Sequence, residues 1–265
     1  MAELASVGED LLYTVQDGIG WVTFNRPQAR NAMTFAMYDR LAKICQEVGE
    51  DPSMRALVLT GTGEKAFASG TDISQFREFK TTEDALAYEE RIDRVLSALE
   101  TCPIPTIAVI AGACTGGGAG IAASCDLRIA MRGSRFGFPV ARTLGNCLSI
   151  SNYTRLAALI GPAAVKDMVF TARLLEVDEA KQVGFINEIL EDRAALDARG
   201  DALAKQVASL APLTLRATKE ALRRIKERMR PEEGRDLILM CYMSEDFREG
   251  LDAFLTKRTP VWKGQ

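Results

Sequence analysis

The chain has 265 residues, 47% hydrophobic and 26% charged, with a net charge of −3 and no histidine. At ~150 residues per domain this is one to two domains, long enough to bury a core without disulfide staples. The balance of 33 basic and 36 acidic residues gives no bulk attraction to nucleic acid or to an anionic membrane. The missing histidine removes Ser-His-Asp and Cys-His nucleophiles, His-ligated zinc and any imidazole acid or base. Catalysis must then come from carboxylates, hydroxyls, thiols, lysines or the backbone. The six cysteines (Cys45, Cys102, Cys114, Cys125, Cys147 and Cys241) form no C-x-x-C unit. They read as buried, reduced thiols of a cytoplasmic protein, and no metal site is expected. The acidic N-terminus has no basic and apolar leader pattern, and no apolar run reaches the ~18 residues of a membrane span.

In chain order, Leu11–Val15 and Gly20–Phe24 flank Asp17-Gly18 and predict a β-hairpin. Thr34 is placed to cap a helix to about Val48, with Met37, Leu41, Ile44, Cys45 and Val48 on one face. Ala56–Thr60 is a short continuous apolar run, as expected of a buried strand. Thr82 to Leu99 repeats Ala85, Ala87, Ile92, Val95, Leu96 and Leu99 at helical spacing, and Pro103 and Pro105 end it. Thr106–Ile110 and Leu127–Ala130 are further strands on either side of a glycine cluster. Short apolar strands alternating with helices indicate an α/β core, assigned to residues 1–190. Residues 191–265 read as a helical subdomain: Asp192–Leu210, Thr214–Met229 and Pro231–Leu255 carry helical periodicity, with Pro212 and Pro231 as punctuation. The basic run Arg216–Arg230 lacks interleaved aromatic residues and reads as a solvated helix face.

The cluster Thr115-Gly116-Gly117-Gly118-Ala119-Gly120 lies between a strand and a helix. Its Gly118-x-Gly120-x-x-Ala123 spacing imitates a dinucleotide fingerprint, but no acidic residue follows about 20 positions on. A glycine backbone at a helix N-terminus instead offers free amides to an anion, or to an atom that becomes one. A second glycine, in Ala68-Ser69-Gly70-Thr71-Asp72-Ile73, can present another amide. Two converging amides make an oxyanion hole, which needs no histidine.

Four segments carry a resemblance. Asn25-Arg26-Pro27 with Asn31-Ala32, Ala66–Ile73, Val109–Asp126 and Ala253–Trp262 resemble, in order and spacing, the signatures of the crotonase (enoyl-CoA hydratase/isomerase) superfamily. The resemblance implies a spiral of ββα turns with a helical C-terminal part, assembled as a homotrimer or dimer of trimers. It also implies an acyl-CoA substrate whose thioester enolate is stabilised, with CoA entering as substrate and no separate cofactor. By position, the hole donors would be the Thr71 and Gly117 amides. Ala29, Arg30, Ala68, Gly70 and Asp72 would contact CoA, with Phe254 and Lys257 as further contacts supplied across a subunit boundary.

The chain then departs from the pattern. Hydratases of this superfamily carry two glutamates that position water and move protons. Their places are taken here by Gly120 and, after Phe136-Gly137-Phe138-Pro139, by Val140. Each lost acid/base group is worth ~10²–10⁴ in rate, so an ordinary hydratase is not expected. The segment 141–153 supplies Arg142, Ser149 and Tyr153 as candidate polar groups near the acyl end, with Cys147 among them. The leading expectation is decarboxylation or isomerisation of a CoA thioester, with Arg142 orienting a carboxylate and Ser149, Tyr153 or water donating a proton. Hydration through a carboxylate at Glu78, Glu89 or Glu90, a silent acyl-CoA binder, and a dinucleotide oxidoreductase are the competing readings.

Overall fold

The computed structural model describes residues 10–78, 80–226 and 235–263. β1 (Leu11–Gln16) and β2 (Ile19–Phe24) form the expected antiparallel hairpin. Thr34 accepts from the Met37 amide at 3.2 Å and starts α1 (Phe35–Glu50), whose buried face is the one the periodicity marks, with Tyr38 added. Then come β3 (Ala56–Gly61), β4 (Ala66–Ala68) and, after a 3₁₀ segment at Ile73–Glu78, α2 (Thr82–Thr101). The reciprocal capping box of Thr81 and Asp84 fixes the start of α2. β5 (Thr106–Ile110), β6 (Ala113–Thr115) and α3 (Gly117–Ser124) repeat the strand, strand, helix order. β7 (Leu127–Met131), β8 (Arg135–Gly137), α4 (Val140–Thr143) and α5 (Ile150–Phe170) repeat it once more. The remainder is β9 (Leu175–Glu176), α6 (Val177–Gln182), β10 (Glu188–Leu190), α7 (Arg193–Ala208), α8 (Pro212–Lys226), α9 (Arg235–Tyr242) and α10 (Glu245–Thr256).

Each turn of the spiral sends its longer strand to one sheet and its shorter strand to another. The large sheet has the order β1-β2-β3-β5-β7-β10 and is parallel from β2 onward. The small sheet has the order β4-β6-β8-β9. Strand side chains alternate between faces. Leu57, Leu59, Ala108 and Ile110 therefore join Leu41, Ile44, Val95 and Leu96 in the main core. Their neighbours Val58, Ile107, Val109 and Ile129 pack on Leu196, Ala204 and Val207 of α7. Both faces are covered, which explains the unbroken apolar runs of β3 and β5.

The strands of the small sheet are only two or three residues long and give no readable periodicity. α7, in the part read from sequence as helical, covers the outer face of the large sheet. The expected helix Pro231–Leu255 is two helices: α9 stops at Tyr242, and Ser244 caps α10 by accepting from the Phe247 amide at 2.9 Å. Pro212 is the first residue of α8 rather than a break before it. Residues 227–234, which include the ends of two predicted helices and part of the basic run, lie outside the described residues.

Candidate active site

The site is built where the loop after β2, the end of β4 and the start of α3 meet. Buried Asn31, in a left-handed conformation, ties the first of these to β4. Its Nδ2 donates to Ala66 O at 2.7 Å and to Thr62 O at 3.1 Å, and its Oδ1 accepts from the Arg26 amide. Arg26 in turn pairs with Asp72 at 3.0 Å. The second Asp72 oxygen accepts from the Ser74 amide and hydroxyl, and these bonds with Arg26 outweigh partial burial to hold its pKa below the usual value. Asp72 is thereby a structural carboxylate that braces the loop.

Residues 70–72 run parallel to Met33. The Met33 amide donates to Gly70 O and the Asp72 amide donates to Met33 O, both at 2.8 Å. In such a bridge the residue between points its own amide the other way, so Thr71 N–H faces the start of α3. Gly117 opens α3, where first-turn amides have no intrahelical acceptor. Gly70 (φ +104°) and Gly116 (φ +52°) occupy backbone conformations that side chains strain to adopt. They also touch: a Cβ on Gly116 would lie 3.4 Å from the Gly70 Cα, and one on Gly70 would lie 3.9 Å from the Gly117 nitrogen. A Cβ on Gly118 would strike the Ala68 carbonyl. Glycine at these places lets α3 seat its N-terminus on β4 and brings the two amides together. Among the described residues neither amide donates to a protein acceptor.

Hydroxyls that the sequence did not single out surround this hole. Tyr38 Oη lies 3.0 Å and Tyr88 Oη 2.9 Å from Thr71 Oγ1, and a Cβ on Gly117 would strike Tyr38 Oη. Burial pushes both phenols up, so each is a neutral hydrogen-bond partner.

The positions that lack carboxylates are filled. A Cβ on Gly120 would lie 3.2 Å from Leu96 Cδ1 and 3.7 Å from Asn152 Oδ1, and Val140 is buried. Asn152 belongs to a polar network between α2 and α5. Arg155 donates to Asn152 Oδ1 at 2.9 Å and pairs with Glu100 at 2.7 Å, and Ser149 Oγ donates to Asp93 at 2.7 Å.

The remaining candidates are scattered. Ser149, 3% exposed, also caps α5 by accepting from the Asn152 amide, so its hydroxyl is committed to structure. Tyr153 is half-buried against the core, and burial raises its pKa. Arg142 is exposed at the end of α4 and makes no ion pair among the described residues. Of the residues that the resemblance implies for CoA, Ala68 and Gly70 are buried and Ala29 is half-buried with its carbonyl near Ser69 Oγ, while Arg30 is exposed. Phe254 and Lys257 lie exposed at the end of α10.

Two further associations were not legible in the sequence. Buried Glu89 accepts from Tyr242 Oη at 2.6 Å, and Tyr242 Oη accepts from Asn146 Nδ2 at 3.1 Å. The signal available for Glu89 is its place on the apolar stripe of α2, one helical repeat from Ala85 and Ile92. Cys147 and Cys241 are hydrogen-bonded to each other despite their separation in sequence. Among the described residues no group of three or more His, Cys, Asp or Glu is arranged to hold a metal ion, and no helix is long and apolar enough to cross a membrane.

With this geometry in hand, the chain was compared with known proteins. Residues 14–265 match the model of the enoyl-CoA hydratase/isomerase family. The chain is 33% identical to the short-chain-enoyl-CoA hydratase of Clostridium acetobutylicum, over 89% of this chain and 91% of that protein. Its fold is similar to that of an enoyl-CoA hydratase/carnithine racemase from Magnetospirillum magneticum, with TM-score 0.79 and 32% identity over 97% of each chain. It is also similar to a methylmalonyl-CoA decarboxylase solved with 2-nitronate-propionyl-CoA, with TM-score 0.87 and 26% identity over 96% of this chain and 98% of that one. The spiral fold, the glycine-built amide pair and a family match over nearly the whole length agree, and the chain belongs to the enoyl-CoA hydratase/isomerase family.

Proposed function

We propose that this protein binds acyl-CoA thioesters and stabilises their enolates between the Thr71 and Gly117 amides, in a reaction that does not activate water. The observation that carries this reading is the pairing of an intact amide hole with Gly120 and Val140 at the two places where a hydratase of this family needs carboxylates. Glycine and valine cannot take or give a proton, and Leu96 and Asn152 occupy the space beside Gly120.

Decarboxylation of a malonyl-type thioester fits these parts best. The bond from Cα to the carboxylate breaks, its electron pair moves onto the thioester, and CO₂ leaves. The enolate oxygen collects the charge and takes two backbone hydrogen bonds, each typically worth ~10²–10³ in rate. A proton then adds to Cα. No base is required, only a donor. Arg142, exposed and without an ion pair among the described residues, is the group proposed to orient the departing carboxylate. Ser149 is ruled out as donor by its cap and its bond to Asp93. The likeness to a methylmalonyl-CoA decarboxylase supports the same direction. Double-bond isomerisation is the second reading, because it also runs through a thioester enolate without water. We further propose that Phe254 and Lys257 meet CoA on a neighbouring subunit of a trimer.

The test is a panel of methylmalonyl-CoA, malonyl-CoA, a β,γ-enoyl-CoA and crotonyl-CoA. Release of CO₂ from a diacid thioester, reduced at least tenfold in Arg142→Ala, supports the first reading. Turnover of the β,γ-enoyl thioester alone supports isomerisation. Tight binding without conversion of any member identifies a silent binder and overturns both.

A further inference from the structure

The amide hole explains where charge goes but leaves the proton without a source. The strongest unused group in the molecule is Glu89. It is 6% exposed, lies on the inward stripe of α2 two turns before Leu96, and follows Tyr88, whose hydroxyl touches Thr71 Oγ1. α2 therefore passes the hole at Tyr88, has Glu89 as its next residue, and lies against the Gly120 position with Leu96.

The carboxyl is also held in a defined way. Asn146 Nδ2 donates to Tyr242 Oη, which leaves the phenol proton to go to Glu89 Oε1. Glu89 Oε2 has no hydrogen-bond partner among the described residues, so one oxygen is fixed and the other is available. Asn146 Oδ1, beside the same phenol, is a buried side-chain oxygen with no hydrogen-bond partner among the described residues. Such atoms are uncommon in a folded interior and mark a place where a polar group of a ligand can be received. The surroundings are the aromatic rings of Phe76, Tyr88, Tyr242 and Phe247, stacked edge to face or tilted at 4.7–6.2 Å.

We propose that Glu89 is the proton-transferring residue of this chain, oriented by Tyr242 and Asn146, and that it delivers a proton to Cα of the thioester enolate formed at Thr71 and Gly117. This rests on the enolate reading above. The neutral Glu89 acid gives its proton to the enolate carbon, the product thioester forms, and the resulting carboxylate regains a proton from solvent before the next turnover. The charge balance is that of decarboxylation, which consumes one proton per CO₂ released. Glu89 takes over the proton handling that the family assigns to positions 120 and 140, from a different helix.

The protonation state agrees with this role. Burial lifts Glu89 from the ordinary 4.5 to about 8, opposed by the bond from Tyr242 and assisted by nearby Asp93. The ionisable groups around it are Tyr38 of α1, Tyr88 and Asp93 of α2, Cys147 of the loop before α5, Tyr153 of α5, and Cys241 and Tyr242 of α9. Arg155 is committed to Glu100 and Asn152, Lys219 of α8 is paired with Asp126, and α3 presents no ionisable side chain. Among the described residues no cation pulls Glu89 into its charged form, so it is an acid at neutral pH.

The experiment follows two reactions in wild type, Glu89→Gln and Tyr242→Phe: CO₂ release from methylmalonyl-CoA, and exchange of the α-protons of propionyl-CoA with D₂O. Glu89→Gln keeps shape and removes the proton, and its melting temperature is measured alongside. The expected result is a loss of ~10²–10⁴-fold in both reactions for Glu89→Gln, with propionyl-CoA affinity within threefold. Wild-type kcat/KM should fall above about pH 8, and Tyr242→Phe should move that limb to higher pH, because it removes the bond that lowers the Glu89 pKa. Wild-type rates and an unchanged pH profile in Glu89→Gln would overturn the proposal while leaving the enolate reading intact. α-Proton exchange that depends on Glu89, without CO₂ release, would overturn decarboxylation and uphold Glu89. Neither reaction in wild type would overturn both.

Discussion

The two ends of this site are built from different material. At the proposed thioester end, the charge would be taken by backbone: Thr71 N–H and Gly117 N–H, placed by glycines at 70, 116 and 118 whose missing side chains let α3 meet β4. At the proposed acyl end, the chemistry would depend on side chains, and the two places where the resemblance implies a hydratase's carboxylates hold Gly120 and Val140. A backbone device is fixed by the fold and cannot be exchanged without disturbing packing. A side-chain device can be deleted, or replaced from a neighbouring helix, while the fold stays as it is. On the proposed reading, that difference lets one chain keep a charge-stabilising half and differ in its proton-handling half.

Four changes probe this contrast, from the largest effect down. Gly118→Ala places a Cβ against the Ala68 carbonyl and must push α3 off β4. Separating the amides should cost ~10²–10³ in kcat per donor lost, measured as CO₂ release from methylmalonyl-CoA. A rate within tenfold of wild type would mean that the amide pair does not stabilise the enolate. The reverse change, Gly120→Glu with Val140→Glu, returns carboxylates to the family positions once Leu96 gives by a few tenths of an ångström. Crotonyl-CoA hydration should rise at least ~10²-fold over wild type, and no rise would show that more than these two groups separates the chain from hydratases.

The third change reads stability. Glu89 has a folded pKa raised from 4.5 to about 8. Its contribution is therefore fully present below pH 4.5, declines as pH climbs from 4.5 to 8, and is level above that. The decline is about 1.4 kcal/mol per pH unit. Relative to wild type, Glu89→Gln should gain stability with pH across that window, seen by denaturant unfolding at pH 4.5, 6 and 8. A constant difference between the two proteins would show that Glu89 is already charged in the fold. The smallest effect belongs to Asp72→Asn, which weakens the pair with Arg26 at 3.0 Å. Half-exposed ion pairs contribute ~1 kcal/mol or less, so a small drop in melting temperature is expected with kcat reduced less than threefold.

How much of this was legible in the sequence depended on how local the cause was. α1 and α2 announce themselves through apolar spacing, and α1 also through its cap at Thr34. The glycines at 70 and 116–118 are legible because close backbone approach leaves no other residue type suitable. Asp72, which the resemblance offered as a CoA contact, is bonded to Arg26 and Ser74, partners that its local sequence does not show. The small sheet was not legible, because three-residue strands are defined by their neighbours rather than by their own pattern. Ser149 looked available by position, but its capping role is set by Asn152 and by Asp93 on another helix. Glu89 interrupts an apolar stripe and is visible as an oddity. Its meaning comes from Tyr242, 153 residues away, which no local pattern connects to it.

The central claim is that the chain stabilises a thioester enolate without activating water. It is tested most directly by giving the wild-type protein methylmalonyl-CoA and crotonyl-CoA side by side. CO₂ release from the first is expected, with no hydration of the second above the uncatalysed rate. Efficient hydration of crotonyl-CoA, with methylmalonyl-CoA untouched, would contradict it.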